Sequence, residues 1–134
     1  MFLVFALLGP IWAEMTPAQK AICEQYTSIF ENDTTELQYA YVEHMQDGMG
    51  YTSGRAGFTT ATCDALDVVK RYTKHKANNP LAKFIPEMER LCKLMSDDVT
   101  HLNEYPDGWK ECAKDPLFRR VQDEVSDDLY YRFA

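Results

Sequence analysis

The chain has 134 residues and an apolar fraction of 46%, which fits one domain with a packed core and excludes a disordered chain. Its 14 basic against 21 acidic residues leave a net charge of −7. That balance argues against nucleic acid and against anionic membrane surfaces as partners, and favours a cationic ligand.

Residues 1–13, MFLVFALLGPIWA, form an apolar run too short to cross a bilayer as a stable helix, closed by the small Ala13 before the polar Glu14. The pattern predicts a signal peptide over 1–13, a secreted, extracellular protein without membrane attachment after signal removal, and one domain over 14–134. No Lys or Arg precedes the apolar run, and a buried N-terminal helix is the competing reading. The four cysteines, Cys23, Cys63, Cys92 and Cys112, predict two disulfides with three pairings open. No pair has CxxC spacing, which speaks against zinc and thioredoxin-type chemistry.

Thr16-Pro17 has the form of an N-cap followed by a first-turn proline, and Ile22, Tyr26 and Phe30 recur every four residues, so a helix is expected to end near Glu31. Leu37 to Val42 is rich in strand formers, with Leu37, Tyr39 and Tyr41 alternating. QDGMGYTSG, residues 46–54, then connects to a second extended piece, Tyr51 to Phe58. A helix is expected from Thr62 to the breaker Asn78-Asn79-Pro80, with Ala65, Leu66, Val69 and Tyr72 on one face.

Two helical pieces follow, Pro86 restarting the second, with Met88, Leu91, Cys92 and Met95 expected inward. Ser96 to Gly108 reads as a loop and Trp109 to Ala113 as a short helix. Asp115-Pro116 caps a last helix with Phe118, Val121, Val125 and Leu129 on its buried stripe. There is no internal repeat or interdomain linker, and the expected class is α+β, mostly helical with a small β element. Oligomeric state stays open.

Cleaving a glycosidic bond by general acid and base needs two carboxyl groups on different elements. Glu31, at the end of an apolar helix beside Phe30, is placed to keep a proton for a leaving group, and Asp47, in a turn with Gly48 and Gly50 where it is better solvated, is placed to serve as a base. Taken alone, both residues also suit ordinary roles, since Asp-Gly is a common turn dipeptide and a glutamate at a helix end is usually a solvated side chain.

DGMGYTSGRAGFTTATCDALDVV, NPLAKFIPEM, DPLFRRVQDEV and DDLYYRFA, in that order, resemble successive blocks of the chitosanases of glycoside hydrolase family 46, secreted enzymes that cleave chitosan internally. The resemblance implies a lysozyme-like fold of two lobes around a cleft. It makes Glu31 the general acid and Asp47 the general base of an inverting reaction, Thr52 a residue that positions the attacking water, and Asp64 the partner of a glucosamine ammonium. Asp64 also suits the first turn of a helix on electrostatic grounds alone. No cofactor or metal is implied, and the expected partner is the cationic polysaccharide chitosan, which an acidic cleft would concentrate.

The chain departs from the family pattern at Met49, where an arginine is usual, and at its end. Family members continue past the DDLYYRFA block through helices that complete the second lobe, so the resemblance implies a fold incomplete at its C-terminus, a truncated gene model or a half-enzyme. An inactive chitosan-binding fragment and a lysozyme-like peptidoglycan hydrolase are the rival functions. Asn32-Asp33-Thr34 is a glycosylation sequon, expected to be unmodified. Tyr39, Tyr41 and Trp109 suit sugar stacking but more often belong to a core, and His44, His75 and His101 lack metal-site spacing.

Overall fold

The computed structural model describes residues 16–22, 24 and 37–133. These fall into two compact units, one of residues 39–125, the other taking in the described residues up to Gln38 and those from Ser126 onward. The expected signal peptide, Glu31, the Asn32 sequon and Cys23 lie outside the described residues.

In the smaller unit, residues 17–22 and 24 are helical. Thr16 Oγ1 accepts from Gln19 N at 3.2 Å while Thr16 N donates to Gln19 Oε1 at 3.0 Å, a reciprocal capping box that satisfies two backbone donors and fixes the predicted start. Ile22 is 53% exposed. Lys20 bonds Asp127 and lies 5.8 Å from the Tyr130 ring centroid, so this part of the unit is held by charge and cation–π contact.

The larger unit opens on a three-stranded antiparallel sheet in the order β1 (Val42–His44), β2 (Tyr51–Ser53), β3 (Phe58–Thr59). Residues 39 and 40 form a turn, so the strand predicted over 37–42 begins only at its last residue. The reason is tertiary: the Tyr39 carbonyl accepts from Trp109 Nε1 at 2.9 Å and Gln122 Nε2 at 3.0 Å, which leaves it no place in a ladder. The extended piece predicted over 51–58 is a hairpin, broken at 54–57 where Gly57 N donates to Gly54 O. Gly54 has φ +79°, and a Cβ there would come within 2.5 Å of Gln122 Oε1 and 2.8 Å of Trp109 Cζ2. Only glycine allows this approach.

Helix α1 (Cys63–His75) buries Ala65, Leu66, Val68, Val69 and Tyr72, the predicted face widened by Val68. Asn79 then makes the break: its Oδ1 accepts from Leu81 N and Ala82 N, and its Nδ2 donates to Lys76 O. A 3₁₀ turn (Ala82–Phe84) leads into α2 (Ile85–Leu94), with Pro86 in its first turn as predicted. Met88 and Leu91 face inward, but Met95 is 69% exposed. The helix ends before it, and Met95 takes the left-handed C-cap conformation at φ +50°, which turns its side chain outward.

Helix α3 (Tyr105–Cys112) begins four residues earlier than the predicted Trp109 and absorbs the end of the expected loop. Pro106 and Asp107 are first-turn residues here, and buried Tyr105 anchors the start. Helix α4 (Pro116–Phe133) is capped by Asp115, whose Oδ1 accepts from Leu117 N at 2.9 Å. Phe118, Val121 and Val125 are buried as predicted, and Leu129 only half-buried.

The core of the larger unit is aromatic. Phe118 meets Trp109 at 4.9 Å and Tyr72 at 4.8 Å, both edge to face, and Phe58 and Tyr105 complete the cluster. Trp109 is fully buried and therefore belongs to the core, not to a sugar platform. A disulfide joins Cys63 to Cys92, tying α1 to α2 with Cα atoms 5.1 Å apart. Cys112 is a free, buried thiol, so the second predicted disulfide is not formed with it. Burial pushes that thiol up to about 11. Among the described residues no helix is long and apolar enough to cross a membrane.

Candidate active site

Asp47 lies in the β1–β2 connection, residues 45–50, and is exposed. Its Oδ1 accepts from Met49 N at 3.0 Å, a side-chain turn that fixes the carboxyl against its own loop. The foot of the connection is tied down. Ala61 N donates to Met49 O at 3.1 Å, Thr60 N to Tyr51 O at 3.0 Å, and Tyr51 N to Thr60 Oγ1 at 3.0 Å. Gly50 (φ +74°) passes so close that a Cβ would sit 2.3 Å from Thr60 Oγ1. Met49, where the resembled family has an arginine, is thus held through both backbone polar groups.

Thr52 is the middle residue of the central strand, paired with Glu43 on β1 and Thr59 on β3. Alternation puts those three on one face of the sheet, while Tyr51 and Ser53 point to the other. The second face is anchored to the core: Tyr51 stacks on Tyr105 with centroids 5.4 Å apart, and the Ser53 and Tyr105 hydroxyls lie 2.9 Å apart. On the first face the Tyr41 hydroxyl donates to Glu43 Oε2 at 2.8 Å. The Thr52 hydroxyl oxygen is buried and has no hydrogen-bond partner among the described residues. A buried hydroxyl without a partner costs free energy, and a ligand or water that bonds it recovers that cost.

Asp64 stands in the first turn of α1, and its Oδ1 accepts from Thr59 N at 3.1 Å, Ala65 N at 2.9 Å and Thr62 Oγ1. Burial pushes the Asp64 carboxyl above the ordinary aspartate value, against the lowering pull of these three donors. Thr52 and Asp64 are therefore joined through one residue, Thr59, which pairs with the first and donates to the second. Asp47 sits at the far end of the same β1–β2 pair. Glu31 lies outside the described residues, so the separation of the two expected catalytic carboxyls is not defined.

Two residues absent from the sequence-based expectations organise this region. Gln122 on α4 is fully buried, its Oε1 accepting from Arg55 N and its Nε2 donating to Tyr39 O, both at 3.0 Å. The Arg55 side chain, 2% exposed, places Nε 3.3 Å from Asp123 Oδ1, which also accepts from the Tyr39 hydroxyl. The available signal was a polar residue beside Val121 and one turn after Phe118, inside an apolar stripe. Among the described residues no group of three or more His, Cys, Asp or Glu is arranged to hold a metal ion.

The family model of glycosyl hydrolase family 46 matches residues 25–134. A chitosanase of Bacillus subtilis (strain 168) is 52% identical over 135 residues, covering 100% of this chain and 49% of that protein. One of Streptomyces sp. (strain N174) is 32% identical over 120 residues, covering 86% of this chain and 42% of that protein. The chain thus spans about half the length of the curated relatives it matches.

Among solved structures, the native chitosanase of Bacillus subtilis MY002 superposes with a TM-score of 0.82 at 55% identity, over 85% of this chain and 47% of that one. A family 46 chitosanase of Gynuella sunshinyii in complex with chitotetraose gives 0.83 at 41% identity, over the same shares. A mostly helical chain with one small antiparallel sheet therefore matches the fold of these solved structures. The model match covers most of the sequence, and the chain belongs to glycosyl hydrolase family 46.

Proposed function

We propose that the chain is part of a secreted, endo-acting glycoside hydrolase that cleaves β-1,4-linked glucosamine polymer, chitosan, with inversion at the anomeric carbon. Asp47 takes a proton from the water that attacks the anomeric carbon, and Glu31 gives one to the departing glycosidic oxygen. Thr52 holds that water through its hydroxyl, and Asp64 meets a substrate ammonium as a charge-assisted acceptor.

One observation carries the reading. An exposed carboxylate fixed on a tied-down loop stands at one end of a strand pair whose central residue, Thr52, keeps a buried hydroxyl with no described partner. Family membership supplies the chemistry, and relatives named chitosanases, one in complex with chitotetraose and one variant with 6 GlcN, support the substrate class. A net charge of −7 favours a polycation and makes its binding salt-dependent.

The test is to incubate the purified chain with deacetylated chitosan and with bacterial cell wall, count new reducing ends, and follow the anomer of fresh product by NMR. Cleavage of chitosan with an initial α product is expected. A β product would rule out inversion, and cleavage of cell wall alone would move the protein to peptidoglycan. Chitosan binding without cleavage would leave an inactive binding fragment.

A further inference from the structure

We propose that Gln122 is the positioning residue of the site, the group that sets the register of β1 against β2 and thereby the placement of Asp47 and Thr52. Its amide has one possible orientation, because Arg55 N is a donor and must face Oε1, whereas the Tyr39 carbonyl is an acceptor and must face Nε2. The side chain thus bridges residue 39, just ahead of β1, and residue 55, just after β2.

The need for such a bridge lies at the other end of the pair. Two-residue hairpin turns fix strand register by their geometry, but β1 and β2 are joined by residues 45–50, a longer connection carrying positive φ at Gln46, Gly48 and Gly50. A slip of one residue between strands turns every side chain to the opposite face. Here it would exchange Thr52 with Tyr51 or Ser53 and drag the Asp47 loop along.

Register is instead pinned at the open end. Gln122 holds both chains, Trp109 Nε1 shares the Tyr39 carbonyl, and Gly54 N donates to Tyr41 O at 2.7 Å. Gly54 lets the amide close in, since any Cβ there would strike Gln122 Oε1. A fully buried glutamine whose two amide ends are both satisfied by backbone is a specific device, because losing it leaves the buried Arg55 N–H without this acceptor and leaves the Tyr39 carbonyl to Trp109 alone.

The kinetic side of this inference rests on the chitosanase reading, so the test pairs kinetics with amide exchange. Gln122→Met keeps the volume and removes both bonds. Gln122→Glu keeps the shape but donates to Tyr39 O only when protonated.

On a glucosamine oligomer, at a temperature where all variants are folded, Gln122→Met is expected to lower kcat by about tenfold to a hundredfold with KM changed less than about twofold. For Gln122→Glu, whose buried carboxyl is pushed above the ordinary glutamate range, the ratio of its kcat to the parent's at the same pH is expected to fall as pH rises and the carboxyl ionises. In Gln122→Met, exchange at the Gly54 and Met49 amides should quicken by about tenfold or more, with the Lys76 amide at the end of α1 unchanged.

Parental kcat in Gln122→Met, a pH-independent ratio in Gln122→Glu, or exchange that quickens uniformly would overturn the positioning role. A parent chain that cleaves no chitosan would sink the chitosanase reading, and the exchange pattern would still decide for or against the register clamp.

Discussion

Thr59 donates its backbone N–H to Asp64 Oδ1 across 3.1 Å, so one carboxylate ties strand β3 to the first turn of α1. Because Thr59 also pairs with Thr52, the acidic residue expected to meet substrate and the threonine expected to hold water sit on one short stretch of hydrogen-bonded backbone. Asp64 therefore has a structural task beside any binding task, and the two separate by substitution.

The structural task shows in pH dependence. Burial raises the Asp64 carboxyl above its unfolded value of 3.8, so the folded state holds the proton more tightly than the unfolded state. Its contribution to stability is fully present below 3.8 and is lost as pH rises through the raised folded value. Asp64→Asn keeps the Oδ1 acceptor and removes this titration. Urea midpoints of parent and variant between about pH 3 and about pH 7 should diverge in the variant's favour as pH rises, whereas a constant offset would assign the ionisation no role.

The binding task shows in affinity. If Asp64 meets an ammonium group, Asp64→Asn loses a charge-assisted bond, worth about tenfold or more in affinity for a glucosamine oligomer at low salt. Calorimetric titration of the two proteins measures it. Equal affinities would confine Asp64 to the structural role.

The loop that presents Asp47 depends on glycine unequally along its length. Gly50→Ala should cost about 2 kcal/mol or more, because it combines a positive φ with a Cβ 2.3 Å from Thr60 Oγ1 and so breaks the bond that this hydroxyl accepts from Tyr51 N. Gly48→Ala meets nothing within 4 Å and should cost only backbone strain, about 1 kcal/mol. Denaturant unfolding of both variants checks the order, and a larger loss at Gly48 would contradict the packing described.

The Cys63–Cys92 bridge closes a segment of sequence separation 29 and immediately precedes Asp64. Replacing both cysteines by alanine should cost about 3 kcal/mol through the freedom returned to the unfolded chain. The buried Cys112 thiol, pushed up to about 11, should resist alkylation near pH 8 until the protein unfolds. Mass spectrometry of native and unfolded protein reads the labelling, and native labelling of Cys112 would contradict its burial.

Periodicity made the helices legible wherever one apolar stripe met one core. Ala65, Leu66, Val69 and Tyr72, and likewise Phe118, Val121 and Val125, are buried as their spacing predicts. The sheet was less legible, since its register depends on bonds made at a distance in sequence, such as Tyr39 O to Trp109 and Gln122, which local strand propensity cannot register. Pro106 misled for a related reason: a proline marks a loop or a first helical turn equally well, and only the burial of Tyr105 decides between them.

The site was legible through motif more than through pattern. Asp47 in an Asp-Gly turn has an ordinary explanation, and only the blocks around it pointed to chemistry. Gln122 went unread because a glutamine in an apolar stripe announces burial without naming its partners.

The most direct test of the central claim is the initial rate of reducing-end release from fully deacetylated chitosan by the parent chain and by Asp47→Asn. The variant keeps an oxygen for Met49 N but offers no base, so its rate should fall by about a hundredfold to ten-thousandfold while chitosan binding is retained. A variant that cleaves at the parental rate would show that Asp47 is a turn residue and not the base.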